Sequence, residues 1–287
     1  FAGRQAQLTP PPPTGSRLEL GRYLLDLLRL YEARRGYVDP EDPVVWHLAA
    51  YVPAHLEVFL DGLRASPVLS RRVLTEAVIR GATEAQKNLI LAALPRDPEL
   101  AQVLLARGWV EEGREALLEL LRRPRPLSES ALQALGWLED ARTYPRLLEE
   151  LETHPRLSRY EWVRQLPGIQ PDLDAAIDRL WARRARAVSH TDTAPAALSV
   201  ALRHGRSDAL AEAYGRLTRL TPEGLPQAGP FLDALRQNLA LAGWPPEHQT
   251  DDARLAAWLL SHRPDEFQFD PIRRRFGLAL RAIIPPR

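Results

Sequence analysis

The segment "ALQALGWLEDARTYPRLLEEL", residues 131–151, decides how the rest of the chain is read. Leu132, Leu135 and Leu138 make one apolar stripe at helical spacing, and Ala141, Tyr144, Leu147, Leu148 and Leu151 make a second. Glu139 and Asp140 stand between them. Ser128 or Ser130 can cap the first helix and Asp140 the second. Pro145 falls in or near a first turn, where its missing N–H costs little. Two short helices joined by so tight a turn lie antiparallel. Each keeps a second apolar edge that only further helices can cover.

The build recurs. "VEEGREALLELL" (110–121) ends in a leucine stripe after an acidic start, and "IQPDLDAAIDRL" (169–180) again has Pro near a helix start. "RHGRSDALAEAYGRL" (203–217) follows the small-residue helix "APAALSVAL" (194–202). The terminal residues Leu121, Leu151, Leu180 and Leu217 are 30, 29 and 37 residues apart. Helix–turn–helix units at such intervals mark an α-solenoid, in which each unit buries its apolar edges against the next. The expected fold class is all-α.

Residues 134–151 resemble one unit of the short bacterial HEAT-like (PBS-lyase-type) repeats. Ala134, Leu135, Gly136, Leu138, Asp140, Pro145, Leu147 or Leu148, and Leu151 fall on that pattern. Glu139 stands where the pattern has Gly, which predicts a slightly rearranged turn. Segments 110–121 and 169–217 match loosely, and 16–105 by helical texture alone. The resemblance implies an α-solenoid of HEAT-like antiparallel helix pairs. It implies no single function, since such arrays serve as scaffolds, peptide binders, chromophore-lyase relatives and DNA-repair glycosylases.

Working outward, "FAGRQAQLTPPPPTG" (1–15) lacks apolar periodicity, and Pro10 to Pro13 favour an extended polyproline II tail or tether. Ser16 is an N-cap ahead of Leu20, Tyr23, Leu24, Leu27, Leu28 and Tyr31, and Gly36 stops that helix. Further helices are expected at roughly 41–51, 54–64, 68–80, 83–94, 98–107 and 110–122, with prolines between them. Near the end, Leu255, Trp258 and Leu259 share a helix face that Pro264 terminates. "FQF" and "RFGL" then flank a turn at Asp270-Pro271, two short extended pieces that suit an aromatic C-terminal cap. The expected organisation is a tail (1–15), an N-terminal helical part (16–107), HEAT-like repeats (108–245) and a capping segment (246–287).

Composition narrows the function classes. With 45% hydrophobic and 26% charged residues the chain reads as a soluble globular protein. It has no apolar run long enough for a transmembrane segment. A formal charge of +1 gives the whole molecule no strong pull on nucleic acid or anionic lipid. The absence of Cys removes disulfides, thiolate metal sites and cysteine nucleophiles. "FAG" at the start fits the stub of a signal-peptidase site or a trimmed boundary, with a slight lean to an exported, periplasmic protein over a cytoplasmic one.

Phosphate-binding glycine loops and the G-x-S-x-G elbow do not occur. The seven histidines form no H-x-x-x-H or H-E-x-x-H pair, so no metal site is assigned. His190 and Asp192 could begin a catalytic pair, but Asp192 or Thr191 reads as the N-cap of the helix beginning near Ala194. No catalytic residue and no cofactor is expected. The binding candidates lie in "WARRARA" (181–187), where Trp181, Arg183, Arg184 and Arg186 are expected on an exposed side of a long helix. Arg122 and Arg123 join them as a basic lining. The expected function is a non-enzymatic scaffold that binds a protein or peptide on a concave solenoid surface. The alternative is a HEAT-like enzyme or nucleic-acid-binding protein, glycosylase-like or lyase-like.

Overall fold

The computed structural model describes residues 16–17, 19–24, 26, 43–65, 68–122, 127–186, 193–219, 228–240 and 251–279. The described chain is mostly helical, as the periodicity predicts. No described helix is long and apolar enough to cross a membrane. The chain divides into two compact units, Phe1–Thr143 and Tyr144–Arg287, and the division falls inside the 131–151 segment. The expected tail (1–15) lies outside the described residues.

The first unit opens at Ser16. Glu19 N donates to Ser16 Oγ at 3.3 Å, while Ser16 N donates back to Glu19 Oε2 at 2.8 Å, a reciprocal cap. The following helices are α1 (Pro43–Ala49), α2 (Val52–Ala65), α3 (Val68–Gly81), α4 (Lys87–Ala93), α5 (Ala101–Arg107), α6 (Arg114–Glu119) and α7 (Glu129–Trp137). The expected boundary near residue 53 is replaced by a kink, because α2 starts before Pro53 and leaves helical geometry only at His55. Alternate helices stack: α1 on α3, α3 on α5, α5 on α7, with α2 also against α3 and α6 against α7. Gly81 permits the first of these contacts, since a Cβ there would lie 2.1 Å from the Ala49 carbonyl oxygen. Leu132, Leu135 and Leu138 are all buried, as their spacing predicts.

Ser128 caps α7 by accepting a bond from Ala131 N at 3.2 Å. At the turn Glu139 takes φ +48°, the left-handed conformation that suits Gly. Asp140 Oδ1 accepts from Arg142 N at 3.0 Å and caps the next turn.

The second unit holds α8 (Tyr144–Thr153), α9 (Leu157–Val163), α10 (Gln170–Arg186), α11 (Thr193–His204), α12 (Ser207–Leu217), α13 (Gly229–Asn238) and α14 (Asp252–Leu260). Pro145 is the second residue of α8, and Tyr144, Leu147, Leu148 and Leu151 are buried. Helix α8 packs on α9 and α10, α10 on α11, α9 on α11, α11 on α12 and α13, and α14 on α12 and α13.

A small sheet completes this unit. Strand β1 (Leu239–Ala240) pairs parallel with β3 (Arg275–Leu278), and β2 (Phe267–Asp270) pairs antiparallel with β3, in the order β1-β3-β2. The two extended pieces expected around Asp270-Pro271 are thus a hairpin; β1, two residues long, carries no alternation from which to predict it. Phe267 and Phe276 enter the core beside Tyr214, Leu232 and Leu255. Phe269 lies on Gly205, where φ is +94° and a Cβ would meet the ring at 2.8 Å.

Candidate functional site

The expected basic lining is not presented as the sequence suggested. Trp181 is only 7% exposed and belongs to the core with Leu198 and Leu202, a correction to its expected outward position. It continues the stripe Leu173, Ile177 and Leu180 around α10, all buried, so the apolar period places it inward rather than beside the arginines. Arg183 is exposed but engaged, its Nη2 3.3 Å from Glu152 Oε2. Arg179 Nη2 holds the other oxygen of that carboxylate at 2.6 Å. The side chains of Arg184 and Arg186, the whole of Arg123, and the His190–Asp192 pair lie outside the described residues.

Arg122 belongs to the first unit, on an open groove of about 490 Å³ formed by α4, α6 and the turn after α7. Arg142 lines the same groove with Glu115 and Glu119, so acids and bases alternate there. Arg142 also clasps Asp140 at 2.7 Å; its side-chain and backbone hydrogen bonds hold the Asp140 carboxyl down at about 2.

A second groove of about 420 Å³ crosses the stacked helices of the first unit. Helix α3 contributes Arg71, Arg72 and Thr75, α5 contributes Gln102 and Leu105, and α7 contributes Ser130 and Gln133. One turn beyond Gln133 on α7 is Trp137, 72% exposed. Trp46 on α1 is 53% exposed, with the Arg80 guanidinium 4.0 Å above its ring. A large open aromatic beside a polar groove is unusual on a surface with no partner, because Trp buries so much area when it docks.

The second unit contains a set of side chains that sequence spacing did not reveal. Tyr160 on α9 is 0% exposed, and its hydroxyl lies 3.1 Å from His204 Nδ1 at the end of α11. His204 Nε2 lies 3.2 Å from Asp174 Oδ1 on α10, and Arg274, from the β2–β3 turn, donates to the Tyr160 oxygen. Arg274 can only donate, so the phenol proton is directed to Nδ1 and the imidazole keeps its own proton on Nε2, facing Asp174. Burial pushes the His204 pKa below the usual imidazole range, with Asp174 opposing and Arg274 and Arg206 adding to the drop. Burial likewise raises the Tyr160 phenol, against the pull of Arg274. A carboxylate–imidazole–phenol chain is the layout of a proton relay, but this phenol has no surface to offer a substrate. Tyr160 and Arg274 are 114 positions apart, which is why motif search could not join them.

Among the described residues no group of three or more His, Asp or Glu side chains is placed to hold a metal ion. No family model, no curated protein and no solved structure matches this chain, so its functional reading rests on its own geometry.

Proposed function

We propose that this chain is an α-solenoid of HEAT-like helix pairs that acts as a non-enzymatic scaffold for a protein or peptide partner. The observation that carries the reading is the row of alternate helices α1, α3, α5 and α7, crossed by a polar groove with Trp137 open beside it. Stacking of alternate helices is what repeat packing requires, and such rows expose continuous surfaces to extended peptides. The groove offers Arg, Gln, Ser and Thr side chains for backbone hydrogen bonds, and Trp137 supplies an anchor of the kind that dominates binding energy.

The test is capture from the native cell extract on immobilised protein at two salt concentrations, read by mass spectrometry, with Trp137→Ala as the matched control. A protein enriched by the parent and lost with Trp137→Ala supports the scaffold. An identical protein set on both surfaces, or none on either, removes it.

One observation favours an enzyme, namely the Asp174–His204–Tyr160 chain. Its full burial at Tyr160 makes it a clamp between helices, and the scaffold remains the reading we hold.

A further inference from the structure

The groove across α3, α5 and α7 has a register as well as a shape. Gln102 and Gln133 line it from neighbouring stacked helices and are 31 positions apart, and Arg71 stands 31 positions before Gln102. The interval is close to the 30 residues between Leu121 and Leu151, so these side chains recur with the helices that carry them. Gln102 and Gln133 are exposed, and neither is engaged by another side chain or by the backbone among the described residues. A carboxamide carries both a donor and an acceptor, which match the C=O and N–H of a peptide group.

The spacing of the row selects the conformation of what crosses it. Packed helices stand about 8–10 Å apart. A β-strand repeats its orientation every two residues, about 6.6–6.8 Å, and falls out of step with such a row. A polyproline II segment repeats every three residues, about 9.3 Å, and presents the same main-chain group at each helix. It has no internal hydrogen bonds, so its carbonyls are open to the Gln side chains. Passing from α3 to α7 takes two steps, about six residues.

The two ends of the groove differ in chemistry. Arg71 Nη1 lies 3.5 Å from Glu99 Oε1, and Glu129 stands in the first turn of α7, where the helix dipole favours a carboxylate. Arg72, exposed at the α3 end, has no carboxylate within ion-pair distance among the described residues; Glu76, one turn along α3, does not reach it. The α7 end has the open Trp137 ring one turn beyond Gln133.

We infer that this groove takes an acidic segment of polyproline II type from the partner. Gln102 and Gln133 hold its main chain, Arg72 meets an Asp or Glu side chain, and Trp137 meets an apolar one about six residues away. The inference rests on the scaffold reading and names the class of partner.

Fluorescently labelled peptides, read by anisotropy, test it. Each has a Pro-Ala spacer with Leu at one end and Asp, Lys or Ala about six positions away, in both orders. The Asp peptides are expected to bind about fivefold tighter than the Lys peptides, and Arg72→Glu should reverse that order. Gln102→Ala and Gln133→Ala should each weaken the Asp and Ala peptides alike, by about threefold to tenfold. Replacing Leu by Ala should cost affinity with the parent protein and none with Trp137→Ala. These positions are exposed, so the variants keep the fold, which circular dichroism checks. Arg263→Glu, the same charge change at an exposed site in the second unit, should leave the order as in the parent. An Asp preference that survives Arg72→Glu, or that Arg263→Glu also reverses, overturns the inference, as does binding by none of the peptides. Where no peptide binds but capture from the extract still depends on Trp137, the scaffold reading stands, with a folded partner instead of an extended segment. Where capture fails too, both readings fall.

Discussion

The two units use the same kind of helix and hold it by different means. In the first, alternate helices stack through apolar faces and the ion pairs stay largely outside. Arg17 reaches Glu57 and Asp61, Lys87 reaches Glu112, and Arg114 reaches Glu111. Exposed pairs of this sort contribute less than about 1 kcal/mol each, so packing carries the unit. The second unit threads polar groups through its interior. Arg159, buried, donates from Nη1 to the carbonyls of Glu150 and His154, and Asn238, buried, donates to Ser199 Oγ and to the Ala234 carbonyl. Tyr160, His204, Asp174 and Arg274 tie three helices to the hairpin. A stack of apolar faces can be read from its period. A buried polar network exists only once distant elements have met.

Four predictions sharpen that contrast. The largest effect is expected at Gly81, where a methyl group would collide with a backbone oxygen rather than a yielding side chain. Gly81→Ala should destabilise the first unit by about 2–3 kcal/mol in urea unfolding, an overpacking cost. An unchanged midpoint would show that α1 and α3 do not approach as closely as described.

In the second unit, Tyr160→Phe removes one hydroxyl from between His204 and Arg274 and should cost about 1–2 kcal/mol. The same network predicts a pH dependence with a definite sign. His204 has a folded-state pKa below its ordinary 6.5, so as pH falls past 6.5 the unfolded chain takes up the proton first. Stability is therefore flat above that pH and declines below it until the folded-state pKa is passed. The groups facing the ring are Tyr160 from α9, Asp174 and Asp178 from α10, Arg206 from the turn after α11, and Arg274 from the hairpin. Urea midpoints measured across this range should fall on acidification, and His204→Gln should flatten the slope. A midpoint that rises on acidification would mean the imidazolium, not the neutral ring, is the form the fold prefers.

The smallest effect should be a gain. Glu139 holds a left-handed backbone in the turn after α7, so Glu139→Gly relieves strain at some entropic cost. The net is a stabilisation of about 0.5–1 kcal/mol, readable as a small rise in the unfolding midpoint. A loss of stability would indicate that the carboxylate makes a contact the turn depends on.

Much of the 131–151 segment was legible in advance. Ser128 and Asp140 cap as expected, Pro145 sits in a first turn, and the leucines face inward, because capping and amphipathic period are local properties. The hairpin around Asp270 was legible for the same reason. Glu139 was partly legible: its place in the motif marked a turn, but only the backbone angle revealed that a non-glycine residue keeps the left-handed form. Trp181 was misread because an aromatic next to arginines looks like a binding surface, while its angular position on α10 continues the buried stripe.

The sequence by itself therefore determined the helical class, most element positions, their caps and the inward faces, since each depends on residues within a few turns of one another. The tertiary structure alone decided which tryptophans are open, where the grooves lie and how β1 finds β3. Those outcomes depend on the desolvation and pairing of side chains as far apart as Tyr160 and Arg274, and no local period encodes them.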